Sequence, residues 1–130
     1  MKQIATLGNM VIQRDYYLER LIAAKGNRMI KIITGIRRCG KSFLLFELFH
    51  QHLTAEGIDD NHIIEVALDD RLNMEYRNPD NLLSYIKNRI TDNEKYYILL
   101  DEVQLVDDFV GVLNSLLHIR NADTYVTGSN

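Results

Sequence analysis

The most informative segment of this 130-residue chain reads Gly35-Ile36-Arg37-Arg38-Cys39-Gly40-Lys41-Ser42, which fits the pattern G-x-x-x-x-G-K-[ST]. It follows a β-branched run at residues 29–34, which predicts a buried strand. Residues 42–49 come next and are apolar enough for a packed helix. A strand, a glycine-rich loop and a helix form the setting in which this pattern cradles phosphate groups. The sequence therefore predicts a phosphate-binding loop, in preference to a glycine-rich turn without a ligand.

The chemistry of this loop follows from its backbone and from two side chains. Gly35 and Gly40 permit backbone angles that turn successive N–H groups inward, and the helix that follows adds its partial positive end. Lys41 is expected to reach the β- and γ-phosphates, and the Ser42 hydroxyl is expected to ligate Mg²⁺. The residues predicted to contact the nucleotide are Gly35, Ile36, Arg37, Arg38, Cys39, Gly40, Lys41, Ser42 and Phe43.

Three variable positions of the loop have two readings each. Arg37 and Arg38 are either solvated charges beside a polyphosphate or contacts to the γ-phosphate or to a neighbouring subunit. Cys39 is the single cysteine of the chain, so no internal disulfide can form. It is either an inert filler or a redox-sensitive thiol.

A second motif lies at residues 96–102, where Tyr96-Tyr97-Ile98-Leu99-Leu100 runs into two carboxylates. A run this hydrophobic is typical of a parallel strand covered on both faces, and ligand chemistry in such sheets collects at the carboxyl ends of the strands. Asp101 is therefore predicted to hold Mg²⁺, and Glu102 to activate the water that attacks the γ-phosphate. Acidic residues also follow strands in ordinary loops, but the phosphate-binding loop earlier in the chain favours the catalytic reading.

A third segment, residues 124–130, predicts another short strand with polar residues at its carboxyl end. Together the three segments resemble the prokaryotic AAA+-type P-loop ATPases. The loop of that family reads G-I-R-R-C-G-K-S, as at residues 35–42, and its Walker B motif reads L-D-E-[IV]-Q, as at residues 100–104. Its sensor region reads Y-[IV]-T-G-S, as at residues 125–129, and its opening also fits residues 13–18. The resemblance covers nearly the whole chain.

The resemblance implies ATP hydrolysis with ATP and Mg²⁺ as the cofactors. The tip of the last strand would supply a polar "sensor 1" side chain that positions the water; Asn130 is the first choice, with Thr127 and Ser129 behind it, and the alternative is a turn without nucleotide contact. Members of the family are longer, usually complete the site with an arginine from a neighbouring subunit and a C-terminal lid, and continue into a C-terminal domain. The implied catalytic residues are Lys41, Glu102 and Asn130, and the implied metal ligands are Ser42 and Asp101.

The alternation of strands and helices predicts an α/β fold with a doubly wound, mostly parallel sheet. The resemblance implies the additional-strand P-loop NTPase type, truncated after the sensor-1 strand. Residues 29–34 should lie beside 124–127, followed by 96–100 and then by 63–68 at an edge. The other flank of 29–34 should be open, or covered by residues 10–12 or by another copy of the chain, because an unpaired apolar edge invites pairing.

Residues 1–130 are thus expected to form a partial P-loop ATPase domain. Residues 1–27 would be an N-terminal segment and helix, and residues 28–130 the core. The amphipathic helix expected at 14–24 and the segment at 10–12 either contact adenine or simply pack against the core. Further helix starts are predicted at Asn78-Pro79 and at Asp107 or Asp108.

Composition is that of one globular domain, with 25% charged residues and a formal net charge of -3. The negative balance disfavours a dominant electrostatic grip on nucleic acid. No apolar run reaches the length of a membrane span and no signal pattern opens the chain, so a cytoplasmic protein is expected. His50 and His52 are two residues apart, and side chains at this spacing point in different directions on a helix. This spacing disfavours a structural zinc site.

Three functions remain open from the sequence. The first is an ATP-hydrolysing core that powers or switches a larger protein, with its own C-terminal region as a partner and a homo-oligomer as one arrangement. The second is a nucleotide-dependent switch with little turnover. The third is a small-molecule P-loop kinase, which Glu102 disfavours because that residue is suited to activating water.

Overall fold

A single parallel sheet organises the chain, as the computed structural model shows over residues 9–13, 17–35 and 40–129. Its strands are β1 (Asn9–Gln13), β2 (Ile30–Gly35), β3 (Ile63–Ala67), β4 (Tyr96–Asp101) and β5 (Ala122–Ser129). The spatial order is β1-β2-β5-β4-β3, and every neighbouring pair is parallel. The predicted α/β class and the predicted order of the last four strands are both confirmed.

Strand β1 covers the flank of β2 that the sequence left undecided. It pairs in parallel register with β2, from Asn9 opposite Ile30 to Gln13 opposite Thr34. Residues 10–12, one of the alternatives for this flank, therefore fill it. Because β2 leads into the predicted phosphate-binding loop, a partner on each side fixes the strand from which that loop starts.

Helices cover both faces of the sheet. A continuous helix follows the loop and consists of α2 (Lys41–Phe43), a π-helical stretch (Leu44–Phe49) and α3 (His50–Ala55). The remaining helices are α1 (Tyr17–Ala23), α4 (Pro79–Arg89) and α5 (Phe109–Leu117), with 3₁₀ turns at Asp60–His62, Arg71–Arg77 and Val103–Leu105. No helix within the described ranges is long and apolar enough to cross a membrane.

The predicted helix starts are where the sequence placed them. The Asn78 side chain accepts hydrogen bonds from the backbone N–H groups of Asp80 (2.9 Å) and Asn81 (3.1 Å), and Pro79 opens α4. Of the two candidates for α5, Asp108 is the cap. Both helices thus begin with donors satisfied by a side chain, as helix termini require.

Alternate residues of the strands feed two hydrophobic cores on opposite faces of the sheet. In β4, Ile98 and Leu100 belong to the core beneath α4 and α5, whereas Tyr97 and Leu99 belong to the core beneath α1 and the loop helix. This is the doubly wound arrangement. The loop helix is less enclosed than the sequence predicted, because Phe43 is 58% exposed.

A buried ion pair lies at the amino ends of β2 and β5. Lys31 is fully buried, and its ammonium donates to the carboxylate of Asp123, to the Met29 carbonyl (2.8 Å) and to Asn27 Oδ1 (3.1 Å). The second oxygen of Asp123 accepts from the Tyr125 hydroxyl at 2.5 Å. Burial lowers the pKa of Lys31, and the hydrogen bond to Asp123 opposes that shift. Nothing in the sequence pattern marked this pair.

Replacing one partner of this pair is expected to lower the stability of the folded domain. Asp123→Ala leaves the Lys31 ammonium buried without its counter-charge, and we expect a loss of about 3–5 kcal/mol in the free energy of unfolding. Glu94→Ala removes an exposed carboxylate and should stay within about 0.5 kcal/mol of the wild type. Urea denaturation of both variants measures the difference. Equal stabilities would show that the pair does not hold the two strands together.

Candidate functional site

The carboxyl ends of β2, β4 and β5 meet at one edge of the sheet. Gly35 ends β2, Asp101 ends β4 and Ser129 ends β5, while the loop helix begins at Lys41 beside them. Parallel strands place their carboxyl ends together, so this edge is the expected position for a ligand. The predicted loop residues Ile36, Arg37, Arg38 and Cys39 and the predicted sensor Asn130 lie outside the described residues.

The last glycine of the loop, Gly40, has a backbone conformation that favours glycine over other residues. Gly40 has φ 83° and ψ 13°, a left-handed conformation that side chains resist. A Cβ atom there would meet no atom within 4 Å, so space alone does not demand glycine. The conformation sets the chain direction at the point where the helix starts with Lys41.

Lys41 spans the loop and the end of β5. Its side chain is nearly fully buried, and its ammonium donates to the Gly35 carbonyl (3.0 Å), the Gly128 carbonyl (2.7 Å) and Ser129 Oγ (2.5 Å). All three acceptors are neutral oxygens. A phosphate oxygen at this edge would be a stronger acceptor for the same cation, because it carries a negative charge that attracts the ammonium, whereas these three oxygens carry no net charge.

Asp101 is held by one hydroxyl on each carboxylate oxygen. Ser42 Oγ donates to Oδ2 at 2.6 Å, and Thr127 Oγ1 donates to Oδ1 at 2.5 Å. Burial raises the pKa of Asp101; these two hydrogen bonds oppose the shift, and the nearby carboxylates of Glu102 and Asp69 add to it. A cation beside Asp101 would stabilise its negative charge in this buried position.

A magnesium ion fits the donors present. The Ser42 and Asp101 oxygens are in direct contact, and Mg²⁺ commonly takes only one or two protein ligands together with phosphate oxygens and waters. Within the described ranges no group of three His, Cys, Asp or Glu side chains could form an all-protein metal cage.

Glu102 occupies a strained and enclosed position. Its backbone is left-handed (φ 57°, ψ 52°), which costs of order 1–3 kcal/mol for a residue with a side chain, and such strain concentrates at functional sites. Its N–H donates to Thr127 Oγ1 at 2.8 Å, and its side chain is only 4% exposed. The surrounding structure therefore holds both the backbone and the carboxylate of Glu102 in place.

Three side chains complete the surroundings of these carboxylates. Thr127 and Ser129, which the sequence ranked behind Asn130, contact Asp101 and Glu102 respectively. Gln104 was missed, although the L-D-E-V-Q pattern contains it; its amide donates to Glu102 Oε1 at 2.8 Å. Asp69 and Asp70 lie exposed in the turn after β3, and Asp70 caps the 3₁₀ turn that follows by accepting from the Leu72 N–H.

The parallel sheet, the glycine-flanked loop and the lysine and carboxylates at its edge define a P-loop NTPase-like domain. A family model described as an AAA domain matches residues 27–130. The chain belongs to this family, and membership indicates a nucleotide-binding, ATPase-like domain.

Two uncharacterized proteins are similar to this chain over most of its length. An uncharacterized protein of Haemophilus influenzae is 31% identical over 125 residues, which cover 95% of this chain and 31% of the relative. An uncharacterized protein of Methanocaldococcus jannaschii is 30% identical over 127 residues, which cover 92% of this chain and 24% of the relative. The chain therefore spans less than a third of the length of these curated relatives. No solved structure matches the chain.

Proposed function

We propose that this chain binds ATP with Mg²⁺ and hydrolyses it, as the motor or switch core of a larger protein. One observation carries the proposal: the first two residues of the loop helix contact the ends of the neighbouring strands. Lys41 bonds to Ser129, and Ser42 bonds to Asp101 at 2.6 Å. The side chains that phosphate and metal require thus lie at one edge of the sheet.

Each of these side chains has a role in the proposal. The Lys41 ammonium and the backbone N–H groups of residues 35–43 bind the phosphates. Ser42 and Asp101 hold the metal ion, which when bound neutralises the charge that develops on the phosphate oxygens. Glu102 accepts the proton of the attacking water. Asn130 orients that water, and Ser129 is the alternative because it lies beside both Lys41 and Glu102.

The setting of this activity is part of the proposal. The protein works in the cytoplasm, and its partners are ATP or ADP, its own C-terminal region and, as one arrangement, further copies of itself. Nucleic acid is disfavoured as a partner because the chain has a net charge of -3.

Phosphate release and phosphoryl transfer, measured on one sample of the full-length protein, distinguish ATP hydrolysis from a nucleotide switch without turnover and from a small-molecule kinase.

Nucleotide binding is expected to raise the melting temperature of the domain. Mg-ATP or Mg-ADP at a hundred times its dissociation constant should stabilise the folded state by roughly 2.7 kcal/mol. Lys41→Ala should weaken the effect because it removes the cation that meets the phosphates. Thermal melts with and without each nucleotide measure it, with every variant compared to its own nucleotide-free melt.

Lys87→Ala is the matched control for Lys41→Ala, since Lys87 is an exposed lysine on α4. Its response to nucleotide should equal that of the wild type. If saturating Mg-ATP and Mg-ADP both leave the wild-type melting curve unmoved, the assignment of the site is wrong.

A further inference from the structure

Gln104 makes a two-ended contact at the edge of the proposed site. Its Nε2 donates to Glu102 Oε1 at 2.8 Å, and its Oε1 accepts from the Ser129 N–H at 3.4 Å. The carboxylate can only accept and the backbone N–H can only donate, so the two contacts fix which end of the amide faces which partner. Gln104 thereby links the end of β5 to the carboxylate that follows β4.

The turn that carries Gln104 is anchored on both sides. Val103 and Val106 are buried in the core beneath α4 and α5, and the Val106 N–H donates to the Val103 carbonyl at 3.0 Å. The Leu105 N–H donates to the Glu102 carbonyl at 3.1 Å. The Gln104 side chain therefore projects from a fixed backbone, which is the condition for holding a neighbouring group in a defined orientation.

The opposite oxygen of Glu102 has its own donor. Ser129 Oγ donates to Glu102 Oε2 at 3.0 Å and accepts from Lys41 Nζ at 2.5 Å. Among the described residues each carboxylate oxygen thus has one donor, which leaves each oxygen a further lone pair that can accept from a water molecule. A carboxylate held in this way is already oriented before any water arrives, which lowers the cost of reaching a reactive geometry.

We propose that Gln104 is a positioning residue, which orients the Glu102 carboxylate for water activation through its bond to Oε1 and its tie to the Ser129 backbone. This inference rests on the proposed hydrolysis of ATP. Gln104 does not meet phosphate, metal or water in this role, so its effect passes through Glu102. Removing it should slow turnover without weakening nucleotide binding.

Steady-state ATP hydrolysis by the full-length protein tests the proposal with Gln104→Ala and Gln104→Glu. The alanine removes the donor, and the glutamate keeps the length of the side chain but at neutral pH offers a second carboxylate in place of the donor. We expect kcat to fall about 10- to 100-fold in both, a size typical of misplacing a reacting group. The KM for Mg-ATP and the melting temperature should match those of Gln51→Ala, which replaces an exposed glutamine on α3.

A double-mutant comparison separates positioning from a general structural role. In a Glu102→Gln background, Gln104→Ala should cause no further loss, because the group it orients is already inactive. A further loss as large as in the wild-type background would overturn the proposal, and so would an unchanged kcat for Gln104→Ala. Wild-type protein without turnover would overturn the proposed function and this inference together, whereas active wild type with fully active Gln104→Ala overturns this inference alone.

Discussion

Glu102→Gln is expected to abolish ATP hydrolysis in the full-length protein while leaving ATP binding intact. The amide has the shape of the carboxylate and keeps an oxygen that can accept from Ser129 or Gln104, so the local hydrogen bonds change little. It cannot accept the proton of the attacking water. General-base catalysis typically contributes 10²–10⁴-fold, and we expect turnover to fall by roughly that factor. Phosphate release at saturating Mg-ATP gives the rate, and nucleotide titration gives the affinity.

Two variants make this experiment specific. Asp101→Ala should damage the Mg²⁺ dependence as well as the rate, because its carboxylate is the proposed metal ligand. Glu47→Gln makes the same chemical change on the exposed face of the loop helix and should leave turnover unchanged. Undiminished turnover in Glu102→Gln would remove that residue from the mechanism. Equal loss of binding in both site variants would instead reassign Glu102 to the metal or to the structure.

The sheet was predictable because its strands carry strong local signals. Strand β4 is a continuous apolar run up to Asp101 and β2 is rich in isoleucine, and the motifs at residues 35–42 and 100–104 indicate which strand ends form the candidate site. The bounds of β5 were less predictable: residues 124–127 were expected, and the strand spans Ala122–Ser129. Its added ends contain Asp123 and Ser129, polar residues whose partners Lys31 and Lys41 come from distant parts of the chain.

The helix after the loop shows a second limit of local patterns. Its apolar residues predicted packing, but the π-helical winding at Leu44–Phe49 has no counterpart in the spacing of the sequence. π-helical turns are rare, so a local pattern of apolar residues does not distinguish them from ordinary α-helix. Phe43 lies one position after Ser42, whose hydroxyl contacts Asp101, and its side chain is exposed.

In the site, residues that belong to a short motif were predictable and residues that support them were not. The pattern named Lys41, Ser42, Asp101 and Glu102, and the fold brings their side chains to one edge. Their roles remain proposals. The role of Gln104 was not predicted, because a glutamine in a turn has no catalytic chemistry of its own. Its contact with Glu102 depends on the left-handed backbone at Glu102, which turns the chain.

The 130-residue chain alone is expected to bind nucleotide yet hydrolyse it very slowly. ATPases that this chain resembles complete the site with an arginine from a neighbouring subunit and a C-terminal lid, and such an arginine is worth about 10³–10⁵ in rate. Of the arginines in this chain, Arg37 and Arg38 belong to the loop itself. Arg120 lines a cavity at the amino ends of β2 and β5, at the opposite end of the sheet from Lys41, so it does not complete the site of its own chain.

Steady-state phosphate release by the chain and by the full-length protein, compared at equal concentration and saturating Mg-ATP, tests whether the chain alone hydrolyses ATP slowly. We expect the rate of the chain to be lower by a factor of about 10³–10⁵, which is what an arginine from a neighbouring subunit contributes in phosphoryl transfer. Nucleotide titration of the same samples serves as the control, because both proteins contain the proposed binding residues Lys41, Ser42 and Asp101. Equal rates would mean that the catalytic groups within residues 1–130 suffice, and the argument from the neighbouring arginine and the lid would then fail.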